Sequence, residues 1–246
     1  MQDKETEGFA TKLYESSLLS NSLGDILHPG GLKLTARMAE TAEIRRSSLV
    51  LDLACGKGVP AWFLSQQYGC RVVGIDLSPK LLSLARGKYE TDKLHFLLSN
   101  AERLPFKDSV FDVVISECSF SLLPDKEVAA KEINRVLRWG GRLVATDITL
   151  RGDIDEEIQT QAIFPCIAGA KSIEGYLQIF EKAGFKEPYI EDHSLELKKT
   201  AYQVLLSRGS LEEVQPPSSE GKDNKIWWKP LKHTKLGYAL IALNKG

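Results

Sequence analysis

SLVLDLACGKG, residues 48–58, decides the fold. Ser48 to Ala54 is an apolar run interrupted by one acid, Asp52, and it opens into a turn holding Gly56 and Gly58. So continuous a run suits a strand covered on both faces, where successive side chains are buried on opposite sides. Glycines directly behind it let the backbone turn sharply and come close to a ligand. Pro60 then marks a helix entry, with Ala61, Leu64 and Tyr68 at helical spacing.

The same unit recurs downstream. RVVGID (71–76), LHFLLS (94–99), FDVVIS (111–116) and GRLVATDI (141–148) are further apolar runs with helical windows between them. Leu81 and Ala85 share one helix face, behind a Ser78 cap and Pro79. Ala129, Ile133, Val136 and Leu137 share another. Strand and helix alternating five times predict right-handed crossovers and a doubly wound α/β fold with a parallel sheet. Ile173, Tyr176, Leu177 and Phe180 predict one more helix, stopped by Gly184, before a strand at 187–192 and a helix ending at Gly209. SLEEVQPPSSEGKDN (210–224) reads as an exposed loop, and KLGYALIALNK (235–245) as a last strand. A terminal strand that returns to the sheet predicts a single domain over 1–246, with a core at 45–246. Residues 1–44 form an N-terminal lid segment, in which Phe9, Leu13 and Tyr14 suggest a short helix and His28-Pro29-Gly30-Gly31 a turn.

Composition narrows the function. Lys and Arg number 32 against 33 Asp and Glu, a net charge of −1, so no basic field supports nucleic-acid binding. No apolar stretch is long enough for a membrane span, and MQDKETEG at the start lacks a signal-peptide core. Four cysteines without C-x-x-C spacing predict free thiols in a reducing, cytoplasmic setting. No H-x-x-x-H or comparable spacing predicts a metal site.

The chemistry-bearing residues stand at the ends of successive strands. Asp52 precedes the glycines, where it would sit badly beside a pyrophosphate and well beside an ammonium and a positive sulfur. That disfavours a nicotinamide dehydrogenase, although Ala61 partly meets its glycine fingerprint. Asp76 closes the second strand, where a carboxylate can accept from both hydroxyls of a ribose. Asn100-Ala101-Glu102 ends the third, with a polar side chain and a backbone N–H at the level of an adenine edge.

With these residues the chain resembles the class I S-adenosylmethionine-dependent methyltransferases over roughly 45–245. Asp52 to Gly58 look like the family's first motif, Gly74 to Pro79 the second, Asn100 to Phe106 the third and Phe111 to Ser116 the fourth. Leu137 to Leu143 resemble the turn before strand five. The resemblance implies a seven-stranded, mostly parallel Rossmann-like sheet with one antiparallel strand, and S-adenosylmethionine as cofactor with S-adenosylhomocysteine as product. It implies cofactor contacts from Asp52, Ala54, Cys55, Gly56 and Gly58, from Asp76 and Leu77, and from Asn100, Ala101, Glu102 and Ser116. Gly30 and Gly31 would wrap the methionine part. Asn100 stands where the family often has Asp; it keeps an acceptor oxygen for the adenine amino group.

A narrower resemblance links Glu117 to Lys126 and Pro165 to Ala170 with arsenite methyltransferases. It implies that Cys118 and Cys166 bind trivalent arsenic as thiolates, although two further family cysteines have no counterpart here. A hydroxyl acceptor would instead need a base, with His28, Glu117 and Asp147 as candidates. The expected activity is methyl transfer to a small-molecule acceptor: a soft metalloid or thiol, or an organic O- or C-acceptor of the quinone-biosynthesis kind. A catalytically silent cofactor-binding module is the other reading. His193 is expected to end a strand, Lys198-Lys199 to face solvent, and Trp227-Trp228 to cap a pocket or pack on a helix. The sequence is silent on oligomeric state.

Overall fold

The structure, a computed structural model, describes residues 11, 14–15, 24–152, 165–208 and 236–246. The readings on Phe9, Leu13, Gly209, the 210–224 loop and Trp227-Trp228 fall outside them. The described order is α1 (Gly31–Thr41), β1 (Leu49–Leu53), α2 (Val59–Tyr68), β2 (Arg71–Asp76), α3 (Pro79–Tyr89), β3 (Leu94–Leu98) and β4 (Phe111–Glu117). Then follow α4 (Lys126–Val136), β5 (Leu137–Leu150), α5 (Pro165–Ala168), α6 (Ile173–Lys182), β6 (Phe185–Asp192), α7 (Ser194–Arg208) and β7 (Leu236–Lys245).

All seven strands form one sheet, in the order β3-β2-β1-β4-β5-β7-β6. Pairing from β3 through β5 is parallel, and β7 runs antiparallel between β5 and β6. Consecutive strand residues feed opposite faces, which is why the runs read as continuously apolar. Val50, Val72, Val113 and Val144 pack on one side, and Leu51, Ile75, Val114 and Leu143 on the other. The helix starts follow local chemistry. Ser78 Oγ accepts Leu81 N–H at 3.0 Å, Asp125 Oδ1 accepts Val128 N–H at 2.9 Å, and Ser172 Oγ accepts Gly175 N–H at 3.1 Å.

Two sequence expectations are corrected. Alternation fails between β3 and β4, where residues 99–110 hold no helix. Pro105 lacks an N–H there, and α4 supplies the missing bonds. Arg135 donates to Leu104 O at 3.0 Å and Phe106 O at 2.8 Å, while Glu132 accepts Leu104 N–H at 2.8 Å. Arg135→Ala is therefore expected to lower unfolding stability by about 1.5–3 kcal/mol, because two carbonyls lose a charged donor. Denaturant titration with an unchanged slope would show it. The second correction concerns Leu137 to Gly140, which belong to β5 rather than to a turn before it. Leu137 pairs with Phe111, and the register then shifts so that Val113 meets Arg142. That irregularity absorbs the two glycines within the strand.

Candidate active site

The chain leaves β1 outward to β2 and β3, then returns to β4 on the other side of β1. The carboxyl ends of β1 and β4 thus diverge at a topological switch point, where open α/β sheets form clefts. A cavity of about 1120 Å³, its open mouth included, lies there. Strand ends supply Asp52, Ala54, Asp76, Glu117 and Cys118, and residues 27–28 with Tyr14 supply a further wall. Ala54 (φ 54°) and Cys118 (φ 53°) are both non-glycine residues in the left-handed region. Such strain persists only where surrounding structure imposes it, and here it sits at the two strand ends that flank the cleft.

The cavity is ringed by buried acids. Asp52 is 2% exposed, and its Oδ2 has no hydrogen-bond partner. Burial pushes its carboxyl well above the usual range, and Glu117 and Asp76 push it further. Asp76 accepts Gly56 N–H at 2.9 Å on one oxygen and Ser78 N–H at 2.8 Å on the other. Those bonds lower its proton affinity, but burial outweighs them and the net shift is upward. Glu117 is pushed up to about 8 by burial, against the opposing Thr35 hydroxyl, which lies 3.0–3.1 Å from both carboxylate oxygens. His28 Nδ1 lies 3.1 Å from Glu117 Oε2, and burial holds that imidazole down at about 4. Lys57 reaches the wall too, but Asp25 takes its ammonium at 2.8 Å.

The structure gathers most of the residues singled out in the sequence. Asp52, Ala54, Cys55, Gly56, Asp76 and Leu77 line the cavity, as do Asn100, Ala101, His28, Glu117 and Cys118. Six others do not appear on its wall. Gly58 caps α2, and a Cβ on it would come within 2.6 Å of the Phe96 ring, so that glycine serves helix–sheet packing. Glu102 accepts Asp125 N–H at 2.7 Å, and Ser116 Oγ lies 2.7 Å from Ser119 Oγ, so both hold the loops behind the wall. Gly30 caps α1 at φ 85°, with Leu34 filling the space a Cβ would need, and Gly31 follows it into the helix. These two glycines turn the chain behind Asp25, Leu27 and His28, which reach the cavity. Cys166 is the sixth. The acceptor oxygen expected of Asn100 is turned to Glu102 N–H at 2.7 Å. His193 directly follows β6, its N–H bonded to Tyr238 O at 2.7 Å. Sequence reading missed Thr35: 82 residues separate it from Glu117, and a threonine within a helix carries no signal.

Behind Cys118 lies an interior polar cluster. Cys118 and Cys166 are free, buried and hydrogen-bonded to each other, and that bond is the main reason the Cys118 thiol is held well above its usual pKa. Burial raises the Tyr14 hydroxyl, and its contact with Cys166 adds to this. Asp147, held by Ser121 N–H and Ile148 N–H at 2.8 Å each, is pushed up by burial to about 6. Among the described residues no three His, Cys, Asp or Glu side chains are gathered as a metal would need.

A family model described as a methyltransferase domain matches residues 51–145. Methyltransferase GfsG of Streptomyces halstedii is 30% identical over 230 residues, which cover 90% of this chain and 82% of that protein. The chain belongs to the class I S-adenosylmethionine-dependent methyltransferases. Arsenite methyltransferase of Halobacterium salinarum is 31% identical to this methyltransferase over 144 residues, covering 56% of the chain and 37% of that protein. Among solved structures the cyclase SpnF superposes with a TM-score of 0.78 at 21% identity, covering 98% of this chain and 96% of that one, a likeness of fold. Family membership makes S-adenosylmethionine the cofactor of this methyltransferase. The site fits that cation: the carboxyl groups of Asp52, with its unpartnered Oδ2, Asp76 and Glu117 gather in one cavity, where a positive charge would favour their ionised forms. Among the described residues no helix is long and apolar enough to cross a membrane.

Proposed function

We propose that this methyltransferase acts on a small organic acceptor, within a single domain. The observation that carries the reading is the cavity at the switch point, ringed by Asp52, Asp76 and Glu117. Asp52 receives the methionine ammonium, Asp76 the ribose hydroxyls, and the Asn100-Ala101 turn the adenine. Gly56 and Leu77 flank the nucleoside. Bound there, the cofactor supplies an electrophilic methyl group on a positive sulfur. The chain's task is to hold the partners at near-attack distance and keep water out. Relatives spanning most of the chain support an organic acceptor. (+)-O-methylkolavelool synthase of Herpetosiphon aurantiacus is 28% identical over 83% of this chain and 80% of that protein. The net charge of −1 supports a small molecule over a nucleic acid, and four free buried cysteines fit a reducing compartment such as the cytoplasm. Calorimetry with S-adenosylhomocysteine tests the cofactor assignment, and absence of binding would sink it.

One observation favours a second acceptor class. Cys118 and Cys166, 48 residues apart in sequence, meet with Cys118 on the cavity wall and Cys166 behind it, and two such thiols can grip a trivalent arsenic. Cys55 cannot complete a trio, because it packs on Gly74 in the cofactor turn. The Cys118→Ser, Cys166→Ser double variant discriminates. It should abolish methylation of arsenite supplied with a thiol reductant and leave methylation of an organic acceptor within a few-fold. Product chromatography with methyl-labelled cofactor reads both.

A further inference from the structure

We infer that His28 is the general base of this methyltransferase, aimed by Glu117 and Thr35, and that its acceptor is therefore a hydroxyl group. The inference rests on the cofactor assignment above and deepens it. Its basis is a tautomer that the geometry dictates. His28 Nδ1 lies 3.2 Å from Pro29 O and 3.1 Å from Glu117 Oε2. A backbone carbonyl can only accept, so Nδ1 carries the hydrogen. Nε2 is left with its lone pair. That atom is buried, has no partner among the described residues, and belongs to a side chain on the cavity wall. An imidazole with one nitrogen donating to a carboxylate and the other left unpartnered, on a side chain of the cavity wall, is an oriented base.

The supporting parts come from three places in the chain. Thr35, fully buried on α1, donates to Glu117 at the end of β4 and fixes the carboxylate. Glu117 in turn fixes the ring. Thr35 and Glu117 are positioning residues; only His28 would touch the acceptor. In the transfer, the acceptor oxygen forms the new O–CH₃ bond as the S–CH₃ bond breaks with its electrons left on sulfur. The hydroxyl proton passes to His28 Nε2, and the Glu117 carboxylate balances the resulting imidazolium. Asp147 is a poorer base, since Ser121 N–H and Ile148 N–H occupy its oxygens.

The pH behaviour follows. The imidazole is neutral above about pH 4, so its lone pair is available at neutral pH, and the negative charge of an ionised Glu117 raises the proton affinity that burial lowers. Glu117 gives up its proton near 8 in the cofactor-free cavity, so kcat/KM for the cofactor should rise with pH through that region. A cation in the cavity favours the carboxylate, so kcat should rise at lower pH. Groups facing this pair are Asp52 from β1, Cys118 beside it, Tyr238 from β7, and Asp76 through Asp52. Glu117→Gln separates them: it should remove the upper limb and leave any that belongs to Asp52.

The deciding measurement needs no acceptor. In nitrogen-15 spectra of histidine-labelled protein, with His28→Gln assigning the signal, His28 should show Nδ1–H and a bare Nε2 at pH 7. A protonated Nε2 in the free protein and in the S-adenosylhomocysteine complex would overturn the inference. Calorimetry on the same sample separates the readings: binding with the wrong tautomer sinks only this inference, whereas no binding sinks the cofactor assignment. With labelled cofactor and a panel of phenols, alcohols, a thiol and arsenite, product on a hydroxyl should fall about 100- to 10,000-fold in kcat for His28→Gln. Unchanged turnover in that variant, or product on the thiol or arsenite alone, would equally overturn it.

Discussion

Asp52→Ala is expected to weaken S-adenosylmethionine binding by roughly 100-fold and to make the free protein no less stable. The two effects have one cause. Asp52 is 2% exposed with an unpartnered Oδ2, so without the cofactor burial works against its charged form. Removing the ion's partner leaves a buried cation uncompensated, about 3 kcal/mol, and each 1.4 kcal/mol is tenfold in affinity. The stability sign comes from linkage. An acid whose folded pKa is raised holds its proton longer folded than unfolded. Its stabilisation is complete below the unfolded value and is lost as pH rises through the folded one. At neutral pH the wild-type acid is therefore a burden that alanine relieves. Calorimetry in buffers of different ionisation enthalpy should show proton release on cofactor binding, reduced in the variant. Undiminished affinity would dismiss Asp52 as a cofactor ligand.

Asp76→Ala should also cost at least about 100-fold in affinity, but with the opposite effect on stability. Its carboxylate holds the first cofactor turn through Gly56 N–H and the start of α3 through Ser78 N–H. Losing a charged acceptor costs each N–H about 1.5–3 kcal/mol, less what water restores. We expect a loss of about 2–3 kcal/mol in unfolding stability together with the loss of binding. Equilibrium denaturation and calorimetry on the same pair of variants thus separate an acid kept for its ligand from one that also builds the turn. Asp76→Asn, which keeps an acceptor oxygen, should recover part of the stability and less of the affinity.

The parallel sheet was legible because burial on both faces writes itself into apolar runs, and the cap at Ser78 because it acts within one turn. Asp52 and Asp76 were legible as strand-end acids flanking a glycine turn. The unbroken helix alternation was a misreading: residues 99–110 take their hydrogen bonds from Arg135 and Glu132, and side-chain bonds from a later helix leave no local pattern. Gly58 was readable as a glycine that matters, but whether it meets ligand or packing depends on Phe96, a strand away.

What the sequence determined by itself is therefore local and periodic: strands, helices, caps, and the acids that end the strands. The tertiary structure alone decided which of these groups meet. Thr35, His28 and Glu117 converge from a helix, a turn and a strand end, and the tautomer that leaves His28 Nε2 without a hydrogen is set only where Pro29 O and Glu117 stand on the same side of its ring. The upward shift of Asp52 likewise needs burial and two other acids brought within reach. Proton affinity and convergence depend on through-space distance and exclusion of water, which the order of residues along a chain does not encode.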